Sequence, residues 1–195
     1  VPMSDYVQLP ENLEKVATVT PDEMSINEVA ENVFLAGGNG TYTLFAVQPD
    51  SVVAIGGTLI VPEAIKLLRE KVTDLPISHG VLTHHHSDHV PGAATYAEEG
   101  ATLVTFAENE SVVRTAAGNE IVKLSFFDGE MSLGSGPARV ELYNIGPTQH
   151  AENILIAWLP EQKLIFEADH FPQPNNGRIP PAVPATMAFA TALDR

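Results

Sequence analysis

The sequence contains no cysteine, little positive charge and no long hydrophobic run, and each shortage narrows what the protein can be. Without cysteine the chain has no disulfide and no thiolate, so any metal ion it binds has nitrogen and oxygen ligands. Ten lysine and arginine residues stand against 25 aspartate and glutamate residues, and the net charge of −15 disfavours nucleic acid as a partner. No apolar segment is long enough to span a membrane, which argues against a membrane partner.

The length and apolar content predict one globular, soluble domain. A chain of 195 residues that is 44% hydrophobic is long enough to bury a sizeable core. Three prolines and scattered charge indicate a loosely structured lead-in over 1–26, with the domain over 27–195. The chain start lacks the pattern of a signal peptide, which favours the cytoplasm, although Val1 leaves a removed leader as the alternative and the compartment open. Nothing in the sequence indicates the oligomeric state.

Hydrophobic periodicity predicts strands alternating with helices in the first half and strands paired in hairpins in the second. In the first half we predict strands over 29–35, 41–48, 51–55, 79–83 and 101–106, and helices over 61–72, 91–98 and 108–117. In the second half we predict strands over 121–126, 138–145, 153–159 and 163–167, a proline-rich loop over 171–184 and a helix over 185–195. This order favours mixed sheets with helices outside them.

The segment 83–89, with the sequence THHHSDH, is the most informative part of the chain. It places four imidazoles and a carboxylate where an apolar strand breaks into a loop. Residues i and i+2 of an extended loop share a face, so His84 and His86 can bind one cation together. Asp88 and His89 follow the bend and point toward a second position beside the first. The segment therefore predicts a metal site.

Two later segments also place a polar ligand group at the end of an apolar strand, which supplies a rigid support and an open side. One strand runs into the sequence GPTQH at 146–150, and the other runs into EADH at 167–170. His150 can complete a three-histidine set with His84 and His86. The carboxylate of Asp169 is able to bridge two cations.

In this order and at these separations, the motifs resemble those of the metallo-β-lactamase superfamily of binuclear metallohydrolases. The resemblance covers roughly residues 28–195. It implies an α/β fold of the α+β kind, a four-layer αββα sandwich of two mixed β-sheets with outer helices and a metal groove along one sheet edge. It also implies that His84, His86 and His150 bind the first metal, that Asp88 and His89 bind the second, and that Asp169 bridges the two.

Three features depart from the superfamily pattern. The second metal of the superfamily takes one more histidine near the C-terminus, and no histidine follows His170 here. The last predicted helix has no glycine, asparagine or proline terminator, so we expect the C-terminal end of the domain to be truncated from this sequence. Gly56 stands where many members have an acidic residue, so another group must orient a ligand imidazole. The segment 91–93, with the sequence PGA, replaces a common glycine pair.

The resemblance implies a zinc-dependent hydrolase with one or two zinc ions and a small-molecule substrate. A zinc-bound hydroxide would attack a carbonyl or phosphoryl centre, because zinc lowers the pKa of its bound water to about 7. Asp88 is the predicted catalytic residue, which orients the nucleophile or accepts its proton. The acidic composition disfavours a nuclease, so we expect a small ester, thioester, lactone or lactam as substrate.

Two alternatives stay open. The histidines and Asp169 also suit a single non-haem iron, which predicts an oxygenase or redox enzyme of the same fold. A metal-binding domain without turnover is the other alternative. The sequence has no Gly-x-Ser-x-Gly motif, which disfavours a serine hydrolase.

The remaining histidines and one arginine are interpreted mainly as residues outside the site. His85 alternates away from its neighbours and is interpreted as structural, and His79 as a hydrogen-bonded or surface histidine. His170 and Arg178 are weaker candidates for contact with a substrate. We expect the substrate to be selected by the loops 37–42 and 171–184.

Overall fold

The computed structural model describes residues 23–118, 121–171 and 181–194. The strands in these ranges are β1 (Ser25–Ala30), β2 (Val33–Gly38), β3 (Thr41–Val47), β4 (Val52–Ile55), β5 (Ile77–Val81), β6 (Thr102–Thr105), β7 (Leu124–Phe126), β8 (Met131–Leu133), β9 (Val140–Asn144), β10 (Leu155–Leu159) and β11 (Leu164–Phe166). The α helices are α1 (Val61–Lys71), α2 (Ala93–Glu98), α3 (Glu110–Ala117) and α4 (Pro184–Leu193), and a short 3-10 helix at Ala107–Asn109 precedes α3.

The strands form two sheets. The first has seven strands in chain order from β1 to β7, antiparallel as far as β4 and parallel from β4 to β7. The second has the order β11-β10-β9-β8 and is antiparallel throughout. The first sheet is mixed, as predicted. The second is antiparallel, because no helical crossover connects its strands and neighbouring strands joined by short links run in opposite directions.

Alternating side chains build the layers. In β4, Val52 and Ala54 pack toward α1, α2 and α3, whereas Val53 and Ile55 pack between the two sheets. Ile156 of β10 lies on the outer face of the second sheet. It belongs to a small hydrophobic core, and Phe189 of α4 packs against this core. The order of layers is helices, sheet, sheet and helix, so the predicted αββα sandwich is confirmed.

Several predicted elements differ in extent. The single strand predicted over 29–35 is two strands, β1 and β2, that turn at Glu31 and Asn32, where Asn32 has a φ of 60°. β1 begins at Ser25, inside the range assigned to the lead-in. The strand β8 was not predicted, because three residues are too few for a periodic pattern. Most of the predicted loop over 171–184 lies outside the described residues.

The parallel part of the first sheet places the histidine segment at one edge of the sandwich. The strands β4 to β7 run in the same direction, so the loops that follow them lie along a common edge. The backbone carbonyl of Thr83 accepts a hydrogen bond from the N–H of Leu155 at 2.8 Å, which joins the two sheets at this edge. Within the described ranges, no helix has both the length and the apolar character needed to cross a membrane.

Candidate metal centre

The segment 83–89 is held by backbone hydrogen bonds on both sides. Before it, the N–H of Leu82 donates to the carbonyl of Val104 at 3.0 Å. Inside it, the N–H of His89 donates to the carbonyl of His86 at 2.9 Å, which forms a tight turn. The chain at Gly57 packs so closely against this turn that a Cβ atom there would overlap the carbonyl oxygen of His89. These contacts hold the backbone that carries the imidazoles in one conformation.

One carboxylate oxygen lies among three imidazoles. The Oδ2 atom of Asp169 is 3.0 Å from Nε2 of His89, 3.1 Å from Nε2 of His150 and 3.3 Å from Nε2 of His84. Asp169 has a φ of 67°, a left-handed conformation that aspartate and asparagine adopt more readily than most residues. The turn after β11 thus directs this carboxylate at imidazoles from two other loops.

The ligand atoms form two groups that share His84. In the first group, atoms of His84, His86 and His150 lie within 4.8 Å of one another, and in the second the same holds for His84, His89 and Asp169. Nitrogen and carboxylate oxygen donors at this spacing are a combination suited to zinc or iron. The arrangement indicates a site for a metal ion.

Five of the six predicted ligands converge, and Asp88 lies apart. Its Oδ2 atom is 3.5 Å from Nε2 of His89, but its side chain is 76% exposed and belongs to neither group. The expected partners of the second position were Asp88 and His89, with Asp169 between the two positions. The structure instead groups His84 with His89 and Asp169, because Asp88 lies in the exposed turn after the histidines.

The imidazoles and the carboxylate of this cluster shift one another's pKa values. Burial, assisted by the neighbouring charge of His89, lowers the pKa of His84 to about 3, so that imidazole is neutral. Burial opposes the ionisation of both Asp169 and His89, but their mutual hydrogen bond and charge outweigh it. The pKa of Asp169 is thereby lowered to about 2 and the pKa of His89 is raised. A neutral His84 and an ionised Asp169 are the forms that bind cations.

Thr83 supplies the support that Gly56 lacks. The Oγ1 atom of Thr83 lies 3.1 Å from Nδ1 of the buried His84, on the opposite side of the ring from Asp169. Gly56 has a different contact, since its carbonyl accepts a hydrogen bond from the Tyr96 hydroxyl at 2.5 Å. Glycine at position 56 predicts that another group supports the imidazole, but the sequence points to Thr83 only through its position next to His84.

The other histidines have distinct surroundings. His85 is exposed, with its ring centroid 4.9 Å from that of His86. His79 is half-buried, and its Nδ1 lies 3.1 Å from the hydroxyl oxygen of Ser78. His170 is fully buried and contacts protein groups through both ring nitrogens, so the weaker interpretation as a substrate contact is wrong. Arg178 lies outside the described residues.

A cavity of about 360 Å³ lies along the same edge of the sandwich. Phe106 follows β6, Phe127 follows β7, and Asn144 ends β9, and all three line it. Glu108 and Asp128 add carboxylates to its wall. The cavity could not be predicted from the sequence, because its lining comes from four separate parts of the chain.

Solved structures of similar shape extend over most of the chain, whereas no protein-family model and no curated protein matches it. The DIM-1 metallo-β-lactamase has a TM-score of 0.65 at 18% identity, over 89% of this chain and 84% of that one. A metallo-β-lactamase from Pontibacter korlensis has a TM-score of 0.63 at 19% identity, over 88% and 86%. FIM-1 from Pseudomonas aeruginosa, in its mono-zinc form, has a TM-score of 0.62 at 18% identity, over 88% and 83%. From its layers, its sheet order and these structures, the chain has the fold of the metallo-β-lactamase superfamily.

Proposed function

We propose that the protein is a zinc-dependent hydrolase. The observation that carries this proposal is the position of Asp169, whose Oδ2 atom lies within 3.3 Å of an imidazole nitrogen of His84, His89 and His150. One carboxylate oxygen facing three imidazoles is a donor set suited to a cation at the open edge of a rigid scaffold.

The two groups of ligand atoms suggest how zinc would be held. His84, His86 and His150 would bind one ion, and His89 and Asp169 would serve a second, with Asp169 between them. Bound zinc would supply Lewis acidity, lowering the pKa of a coordinated water to about 7 and polarising the bond to be cleaved. Thr83 would keep the His84 ring in the orientation that presents Nε2 to the ion.

Asp88 is proposed as the proton acceptor. Its carboxylate lies at the solvent side of the cluster, close enough to His89 to remain beside the site. An exposed carboxylate next to the nucleophile can take its proton and release it to water without moving far. Exposure to solvent therefore suits Asp88 to proton transfer. Asp169 is partly buried and contacts three imidazoles, which suits it to metal binding instead.

We propose a small lactam, lactone, ester or thioester as the substrate. The similar solved structures are metallo-β-lactamases, and one of them was exposed to ceftazidime. The cavity along the same edge of the sandwich would accept a side group of such a compound against Phe106 and Phe127. The net charge of −15 argues against a polyanionic substrate such as nucleic acid.

An enzyme with a single non-haem iron is the second candidate. The observation that favours it is the exposure of Asp88, which leaves the second position with fewer ligands than a binuclear centre uses. Histidine nitrogens with one carboxylate are also the ligands of mononuclear iron. The identity of the bound metal separates the two candidates.

The test is the metal content of the purified protein, measured by elemental mass spectrometry without added metal, together with hydrolysis of a panel of esters, thioesters, lactones and lactams. We expect zinc, and turnover of at least one compound. His86→Ala should lower both the metal content and the turnover, because it removes one of three ligands from the first group. His79→Ala is the matched control, since His79 contacts Ser78 and belongs to neither group.

The outcomes separate the alternatives. Bound iron with oxidase or oxygenase activity would favour the second candidate. Bound zinc without turnover of any compound would favour a binding domain. Equal loss of metal in His86→Ala and His79→Ala would contradict the assignment of the ligands.

A further inference from the structure

His170 is a fully buried imidazole that belongs to neither group of ligand atoms. It follows Asp169 directly, and its backbone N–H donates to Oε2 of Glu167 at 2.9 Å. Its Nδ1 lies 2.9 Å from the carbonyl of Ala168, and its Nε2 lies 3.1 Å from Oγ1 of Thr148. Both ring nitrogens therefore have protein partners, so the ring is not available to a metal or a substrate.

The partners define the direction of each hydrogen bond. A carbonyl oxygen only accepts, so Nδ1 of His170 carries the proton that points at Ala168. In the neutral ring Nε2 is then an acceptor, and the Thr148 hydroxyl donates to it. The lone pairs of Thr148 remain free to accept the backbone N–H of His150 at 3.1 Å and of Ala151 at 3.4 Å. The result is a chain of hydrogen bonds in which each donor points along the series from His150 through Thr148 and His170 to Ala168.

This chain connects the two loops that carry ligands from the second half of the sequence. Asn144 holds the base of the His150 loop, since its Oδ1 atom accepts the N–H groups of Gly146 at 2.8 Å and Ile154 at 3.1 Å. His170 reaches the tip of the same loop through Thr148. The hydroxyl of Thr186 in α4 donates to the carbonyl of His170 at 2.9 Å, which ties the residue to the outer helix as well.

We propose that His170 is a positioning residue that fixes the His150 loop against the Asp169 turn. A buried residue needed only for packing would be apolar, because burying an imidazole is costly unless its polar atoms are paired. Here both are paired, one within the Asp169 turn and one with the residue that orients the backbone of His150. The inference rests on the proposal that His150 and Asp169 bind a metal ion.

The test uses Co²⁺ alone as the probe, with its dissociation constant measured by competition with a chelator and its ligand geometry by visible absorption. His170→Phe keeps a ring of similar size and removes both hydrogen bonds. Thr148→Val removes the same contact from the other side, and Thr148→Ser retains the hydroxyl. Thermal unfolding of each variant separates a loss of folding from a change at the centre.

We expect His170→Phe and Thr148→Val each to weaken Co²⁺ binding about tenfold and to change the absorption bands, which is the scale at which supporting groups affect metal sites. The double variant should be no weaker than the worse single variant, because the two residues act in series. Thr148→Ser should restore the wild-type constant and spectrum.

Each contrary result has one meaning. If Thr148→Val and His170→Phe bind Co²⁺ with the wild-type constant and spectrum, His170 has no positioning role, whatever its effect on thermal unfolding. Additive effects in the double variant would also overturn the proposal. If His170→Phe does not fold, the difference in Co²⁺ affinity and spectrum between Thr148→Val and Thr148→Ser tests the proposal instead. Failure of the wild-type protein to bind Co²⁺, or wild-type binding by His86→Ala, would instead contradict the metal centre itself.

Discussion

The hydroxyl oxygen of Thr83 lies 3.1 Å from Nδ1 of His84, the only ligand candidate shared by both groups of ligand atoms. A hydrogen bond at Nδ1 restricts the rotation of an imidazole whose Nε2 faces the site, and the Thr83 hydroxyl can accept the Nδ1 proton when Nε2 binds a cation. Thr83 is itself buried, so water is not available to replace it. The position of His84 therefore depends on its neighbour in the sequence.

We expect Thr83→Val to weaken zinc binding about 10- to 100-fold, because the variant keeps the shape of the side chain and removes only the hydroxyl. The dissociation constant measured by competition with a chelator checks this. Thr105→Val is the matched control, since the Thr105 hydroxyl is buried and has no hydrogen-bond partner among the described residues. That control should retain zinc affinity, and equal affinities in the two variants would contradict the role of Thr83.

Gly57→Ala should lower both stability and metal affinity. The added Cβ would overlap the carbonyl oxygen of His89 and the side chain of Leu82, so the turn that carries His89 must move. Overpacking of this kind costs about 1–3 kcal/mol of unfolding free energy. Gly100→Ala is the control, because Gly100 has a φ of 75° with open space around it. It should lower the midpoint of thermal unfolding and leave the affinity for zinc unchanged.

Asp169→Asn should destabilise the metal-free protein most strongly near pH 5. The lowered pKa of Asp169, about 2 against an ordinary 3.8, contributes stability above pH 3.8 that is lost as the pH falls toward 2. The raised pKa of His89 contributes stability below pH 6.5 that is lost as the pH rises through the folded value. Both contributions are present together between about pH 4 and 6.5.

The measurement is the midpoint of thermal unfolding in the presence of a chelator, at several pH values. We expect a difference of about 2–4 °C between wild type and Asp169→Asn near pH 5, for a partly exposed pair worth about 1 kcal/mol, and a smaller one at pH 9. Asparagine adopts the left-handed conformation readily, so the backbone is preserved. Asp88→Asn, which changes an exposed carboxylate, should have a smaller effect. A difference independent of pH would contradict the coupling.

Tyr96→Phe should destabilise the fold without acting on the metal centre directly. The Tyr96 hydroxyl is fully buried and donates to the carbonyl of Gly56 at 2.5 Å, and burial raises its pKa so that it stays protonated. Its removal leaves that carbonyl unpaired, at a cost of about 1–3 kcal/mol. Tyr143→Phe, at an exposed position, should change the unfolding free energy by less than about 0.5 kcal/mol. Chemical denaturation of the two variants checks the contrast.

The sequence predicted the fold best where an element is long and strongly patterned. The helix over 61–72 and the strands over 41–48 and 51–55 are α1, β3 and β4, within a residue or two of the predicted ends. The turn between β1 and β2 was missed because an Asn in the left-handed conformation makes a two-residue turn without glycine or proline. Short strands such as β8 exist through pairing with a neighbour, which a local pattern does not reveal.

The candidate site also has a part that could be predicted from the sequence and a part that could not. The three loops whose imidazoles and carboxylate converge could be predicted because each follows an apolar strand, a relationship visible along the chain. The orientation of Asp88 was not predicted, because it depends on the path of the exposed turn after the histidines, which a local pattern does not reveal. The contact of His170 with Thr148 could not be predicted either, because it joins two buried polar atoms of residues 22 positions apart and belongs to no sequence motif.

The hydrogen bond between Thr83 and Leu155 has a consequence for assembly. His84, His86 and His89 come from the half of the chain that builds the first sheet, whereas His150 and Asp169 come from the half that builds the second. Both groups of candidate ligand atoms draw on the two halves, so in the proposed function the full site forms only after one sheet has docked on the other. A captured ion would then oppose their separation by an amount that grows with the free metal concentration. If the proposed site binds metal, the free metal concentration would therefore also set how long the folded protein persists before it unfolds.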